Sequence, residues 1–175
     1  MPRGKQSHIA FYVKDLDDTL EKWTKLLSIL DPEMVKRKPV ILESGEGELA
    51  TRTATFINPH GLEFQFVSTR CFATDPNFKD YVDHICFVTP DIDEKFEELK
   101  AAGFRLTPNT LHDTEEATEI TSADGILRGA EWARWFIVPM PGPVGIEVAT
   151  PYQPINGEWQ PVENWSRDER YGING

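Results

Sequence analysis

Ser7-His8-Ile9-Ala10-Phe11-Tyr12-Val13-Lys14-Asp15-Leu16-Asp17 decides the reading of this chain, because the chain repeats it at Asp83-His84-Ile85-Cys86-Phe87-Val88-Thr89-Pro90-Asp91-Ile92-Asp93. The two segments align without a gap, and His, Ile, Phe and both Asp recur identically. A second echo closes each copy. Phe56-Ile57-Asn58-Pro59-His60-Gly61-Leu62-Glu63-Phe64 resembles Phe136-Ile137-Val138-Pro139 followed by Gly145-Ile146-Glu147-Val148, with four extra residues in the Pro/Gly turn Met140-Pro141-Gly142-Pro143-Val144. Internal repetition of this kind implies two copies of one supersecondary unit.

Each copy continues with a helix signature. Asp15 or Asp17 can cap a helix whose Leu16, Leu20, Trp23, Leu27 and Leu30 recur at three- and four-residue steps. In the second copy Asp91 precedes Ile92, Phe96, Leu99 and Ala102, and Gly103 is a left-handed C-terminal cap. Strands are expected at 34–43 and 49–57 around a turn at Gly45-Glu46-Gly47, then at 61–68; in the second copy they fall at 104–108, 131–138 and 144–149. The polar, acidic stretch 109–130 reads as a long loop with room for another strand. The expected organisation is a first module at 5–68, a linker at 69–80, a second module at 81–150 and a Pro-, Gly- and Trp-bearing tail at 151–175, whose Trp159 and Trp165 are expected to pack onto the body or a partner subunit.

Composition narrows the function classes. Across 175 residues, 18 Lys+Arg face 29 Asp+Glu, a formal charge of −11, which disfavours nucleic acid and anionic lipid as partners. With 39% hydrophobic residues the chain can bury a core, although its mean hydropathy is −0.43. No stretch is long and apolar enough to span a membrane, and Met1-Pro2-Arg3-Gly4 leads into no secretory apolar region, so a cytoplasmic address is expected. Cys71 and Cys86 are too few for a disulfide framework; both read as reduced thiols, with Cys86 buried.

Strand alternation sorts the faces, because side chains two apart share a side. Ile9, Phe11 and Val13 face the helix of their module, as do Ile85 and Phe87, Leu62, Phe64 and Phe66, and Ile146 and Val148. His8, Glu63, His84 and Glu147 then project from the faces that the helices leave uncovered. They form two repeat-related pairs of imidazole and carboxylate, a donor set suited to Zn, Ni, Co, Mn or Fe that leaves coordination positions for water or substrate. His60 and His112 have no repeat counterparts and are read as surface residues.

On these paired motifs the sequence resembles the vicinal oxygen chelate superfamily, the glyoxalase I, bleomycin-resistance and extradiol-dioxygenase group, over about residues 5–150. The resemblance implies an α+β fold in which two tandem βαβββ modules form a curled mixed sheet around a metal-containing cavity, in a homodimer. A His and a Glu in each module look like the glyoxalase and epimerase branch. The implied ligands of one divalent metal ion are His8, Glu63, His84 and Glu147. The implied function is a metal-dependent isomerase or epimerase, or glyoxalase-type lyase, acting on a small carbonyl compound through a metal-stabilised enediolate. Glu147, with Glu63 as its mirror, would move the proton. Tyr12 and Gln65 are candidates to orient the substrate, and Arg134 and Arg128 to bind a substrate anion. Two alternatives accompany this reading: an Fe(II)-dependent dioxygenase using His8, His84 and Glu147, and a non-catalytic protein that sequesters a ligand.

Overall fold

The structure is a computed structural model that describes residues 5–58, 62–122, 125–155 and 158–161. The first module runs β1 (Lys5–Tyr12), α1 (Leu16–Leu30), β2 (Val40–Ser44), β3 (Thr51–Phe56) and β4 (Glu63–Thr69). A short helix α2 (Arg70–Thr74) lies in the segment expected to link the modules. The second module repeats the order as β5 (Tyr81–Val88), α3 (Ile92–Ala101), β6 (Thr107–Ser122), β7 (Gly125–Val138) and β8 (Gly145–Ile155), followed by β9 (Glu158–Pro161). The expected βαβββ duplication is therefore present.

Local chemistry explains the helix ends. The Asp15 carboxylate accepts the Asp18 N–H at 2.9 Å, and Asp17 and Asp18 add negative charge where the helix dipole favours it. Asp91 precedes α3 but makes no side-chain cap. Gly103, at φ 85°, closes α3: its N–H reaches Lys100 O and the Phe104 N–H reaches Leu99 O, each at 3.0 Å. Gly45 turns β2 toward β3 at φ 71°, where a Cβ would collide with the Leu49 carbonyl oxygen.

Several expectations need correction. Residues 34–39 do not extend β2, because Pro32–Val35 winds into a 3₁₀ turn that buries Met34. Leu30 does not join the apolar stripe of α1; it is 69% exposed in the last turn. Ala102 is the exposed C-cap of α3 rather than a core residue. The acidic stretch 109–130 is no loop: β6 and β7 pair across it as one long antiparallel hairpin, from Ser122↔Gly125 to His112↔Trp135. A stretch this polar carries little apolar signal, which is why the strands escape a hydrophobicity pattern. His60 and the side chains of His112 and Arg128, as well as Trp165 and the side chain of Trp159, lie outside the described residues.

The nine strands among the described residues belong to one mixed sheet, in the order β5-β1-β4-β3-β2-β6-β7-β8-β9, and β5 also pairs with β8. That last pairing closes the sheet on itself. β1–β4 and β5–β8 are parallel, and the modules join antiparallel at β1–β5 and at β2–β6. The helices pack outside. Phe11, Trp23, Leu27, Phe56 and Phe66 build one core under α1, while Ile92, Phe96, Phe136, Val138 and Val148 build another under α3. The inward faces form further clusters, Val40 with Leu42 and Ile57, and Cys86 with Val88, Ala149 and Trp135. Among the described residues no helix is long and apolar enough to cross a membrane.

Candidate metal centre

The site forms where β1, β5 and β8 run side by side. The alternation argument places His8 and His84 inward, and both are buried at 5% exposure with ring centroids 5.5 Å apart in an edge-to-face arrangement. A break in the β1–β5 ladder brings them there. Gln6 pairs with Phe87 and Ile9 with Ile85, so Ser7 and His8 together span the single position of Cys86. A bulge of this kind bends the strand and re-aims a side chain. It also explains why Ser7 and His8, adjacent in sequence, are both buried.

Each histidine is oriented by the residue before it. Ser7 Oγ lies 3.0 Å from His8 Nδ1, and Asp83 Oδ2 lies 2.8 Å from His84 Nδ1. With its Nδ1 edge engaged, His84 turns Nε2 toward Glu147 Oε2 at 3.4 Å. That buried nitrogen makes no hydrogen bond. Burial by itself pushes the His84 pKa down, but the Glu147 carboxylate, then the hydrogen bond and charge of Asp83, outweigh it and raise the pKa. The pair stores an affinity for positive charge at the inner wall, the electrostatic condition that a cation would satisfy.

Glu63 enters from the neighbouring strand, directly beside His8 in the parallel β1–β4 register, and is buried. Glu147 stands beside Cys86 in the β5–β8 register. Among the described residues, the group of three donors that could hold one ion is His8, Cys86 and Glu147, whose ligand atoms lie within 4.8 Å of one another. Of the four expected ligands, His8 and Glu147 belong to this group and His84 and Glu63 do not, although His84 Nε2, which makes no hydrogen bond, lies 3.4 Å from the Glu147 carboxylate; a buried imidazole, a thiol and a carboxylate facing one another fit a divalent cation.

The other expected site residues are spread more widely. Gln65 is buried on the inner face, paired with Ala10 across β1 and with Thr55 across β3. Tyr12 is four residues beyond His8, roughly 13 Å along the strand. It stacks on Tyr81 at 5.5 Å and meets Phe72 edge-on. Arg134 sits on the helix side of β7, its guanidinium 3.0 Å from Asp93 of α3, on the opposite face from the histidines. A cleft of about 760 Å³ at the start of α1 contains none of these residues; Arg52 there faces Asp17 and Glu43 at 3.4 and 3.5 Å.

Sequence reasoning gave no role to three inward polar residues. The alternation that turns His84 inward turns Cys86 inward with it, but as a buried thiol and not as a donor. Thr53 and Thr55 are buried on the inner face of β3 with hydroxyls that make no hydrogen bond among the described residues. The signal for both threonines was available, since they alternate with Ala54 and Phe56 of the α1 core.

The model of the Glyoxalase/Bleomycin resistance protein/Dioxygenase superfamily matches residues 5–127. The chain belongs to that superfamily. The sequence comparison with curated proteins returns no match. Among solved structures, methylmalonyl-CoA epimerase from Mycobacterium tuberculosis is similar at 18% identity and a TM-score of 0.50, over 82% of this chain and 85% of that one. A hypothetical protein from Bacillus halodurans is similar at 15% identity and 0.51, over 83% and 93%. A mutant 4-hydroxymandelate synthase from Streptomyces coelicolor is similar at 14% and 0.51, over 97% of this chain but 52% of its own length. At these identities the likeness is one of fold.

Proposed function

We propose that the protein is a divalent-metal-dependent isomerase or epimerase acting on a small carbonyl compound. The observation that carries this reading is the buried, face-to-edge histidine pair with Glu147 3.4 Å from His84, inside a sheet closed by its own two halves. His8 and Glu147 would hold the ion, with His84 beside the same carboxylate, while Glu63 stands next to His8 outside the close donor group. When bound, Zn, Ni, Co, Mn or Fe would polarise the substrate carbonyl as a Lewis acid, an effect worth several kcal/mol.

The chain's own residues divide the remaining work. Glu147, with 17% of its side chain exposed, is the more accessible carboxylate and removes the proton from the carbon next to the carbonyl. Glu147 would pass that proton to solvent, and Glu63, approaching from the other module, would deliver one taken from solvent; delivery to the opposite face epimerises and delivery to another carbon isomerises. Asp83 and Ser7 hold the imidazoles in orientation. Gln65 and Thr55 offer hydrogen bonds to the polar end of the substrate, while the walls formed by Val40, Leu42 and Val88 exclude water.

The test is proton NMR in heavy water with a panel of small α-hydroxyketones and acyl thioesters. The metal-loaded protein should exchange the α-proton of a member of this panel, chelation should stop the exchange, and added divalent metal should restore it. Absence of exchange across the panel, with stoichiometric metal bound, overturns the reading. A second reading draws on the arrangement of His8, His84 and Glu147 as two imidazoles and one carboxylate, a set that suits an Fe(II) dioxygenase. Oxygen uptake supported by ferrous iron alone would select it.

A further inference from the structure

We propose that Cys86 is a sulfur ligand of the same cation, making the centre a mixed thiolate, imidazole and carboxylate site; this rests on the cation-binding reading above. The repeat does not suggest it, because the counterpart of Cys86 in the first module is Ala10, which has no donor. The tertiary arrangement does. Cys86 is 1% exposed and lies on the inner face of β5, with the bulged Ser7-His8 pair on one side and Glu147 in register on the other. Its Sγ and the donor atoms of His8 and Glu147 lie within 4.8 Å of one another, and the unbonded Nε2 of His84 reaches within 3.4 Å of the same Glu147 carboxylate. His84 and Glu63, which is reached only across β1, are outside that close group.

On binding, the thiol would release its proton to solvent and donate a sulfur lone pair to the ion; nothing is oxidised or reduced. A thiolate among nitrogen and oxygen donors shifts preference toward Zn, Co, Ni and Fe and away from Mn and Mg. The parallel register fixes this choice: it sets Glu147 beside Cys86 while His84 stands beside Gly145.

Two measurements on the full chain test the proposal. Cobalt(II)-loaded protein should show a near-ultraviolet thiolate-to-cobalt charge-transfer band. Cys86→Ser and Cys86→Ala should lose the band, while Cys71→Ser, a partly exposed thiol on α2, should retain it. X-ray absorption of the zinc-loaded wild type should find a sulfur scatterer at about 2.3 Å beside nitrogen and oxygen at about 2.0–2.2 Å; this needs no variant to fold. Cobalt and zinc bound in one equivalent with nitrogen and oxygen neighbours only would overturn the sulfur ligand and leave the cation-binding reading standing. Failure to take up either metal would overturn both.

Discussion

The two modules pair their outer hairpins identically and their parallel strands differently. Phe56 opposes Phe64 in β3–β4, and the equivalent Phe136 opposes Val148 in β7–β8, so the four extra loop residues only lengthen the second hairpin. The parallel ladders do not match. His8 faces Glu63 in the first module, whereas in the second His84 faces Gly145 and Cys86 faces Glu147. The difference is two residues, which preserves the side of the sheet on which every side chain points. Duplication has thus conserved the inward face without conserving the neighbours on it, and the two Glu residues, equivalent in sequence, sit in different surroundings.

That asymmetry should appear first in catalysis. Glu147→Gln should lower the rate of α-proton exchange by about 10²- to 10⁴-fold, the range of general acid–base contributions, and Glu63→Gln by less. NMR exchange rates at saturating metal measure both. Equal losses would show that the register difference has no chemical consequence.

A smaller effect separates the residues that orient the two imidazoles. Asp83→Asn should weaken zinc binding by about 10- to 100-fold, since a carboxylate on Nδ1 raises the basicity of the ring, while Ser7→Ala should change it by about threefold or less. Calorimetric titration of each variant decides it. A larger loss for Ser7→Ala would reverse the order of the modules.

The metal-free protein offers a further probe. The folded pKa of His84 is raised, so its pairing with Glu147 and Asp83 contributes stability that is fully present below its unfolded value of about 6.5 and is lost as pH rises through the folded value. The contribution of this pair to Tm should therefore decline as pH rises above about 6.5. Glu147→Gln should flatten that slope; an unchanged slope would disconnect the pair from stability. The smallest expected effect concerns the helix ends. Gly103→Ala at the left-handed cap of α3 should cost about 1 kcal/mol in urea denaturation, because an L residue is strained at φ 85°, whereas α1 ends at Asp31 with a negative φ.

Much of this was legible in the order of residues. The repeat around His8 and His84 fixed the βαβββ duplication, and period-two alternation identified His8, Glu63, His84 and Glu147 as residues of the uncovered face. Gly103 as a helix cap and the Pro/Gly hairpin at 140–144 also followed from local chemistry, because left-handed backbone and tight turns restrict the residues that can occupy them. Arg134 was less tractable: a charge has no period, and only packing shows that it faces Asp93 across the helix side.

Sequence alone therefore determined the duplicated βαβββ order and which residues alternate toward the uncovered face, since these depend on contacts within one strand, helix or turn. Tertiary structure decided who stands next to whom. The bulge at Ser7-His8, the two-residue difference between the parallel ladders and the closure of the sheet through β5–β8 join residues far apart in the chain. Parallel strands have no connecting turn to dictate their register, so nothing local in either strand could have placed Cys86 between His8 and Glu147.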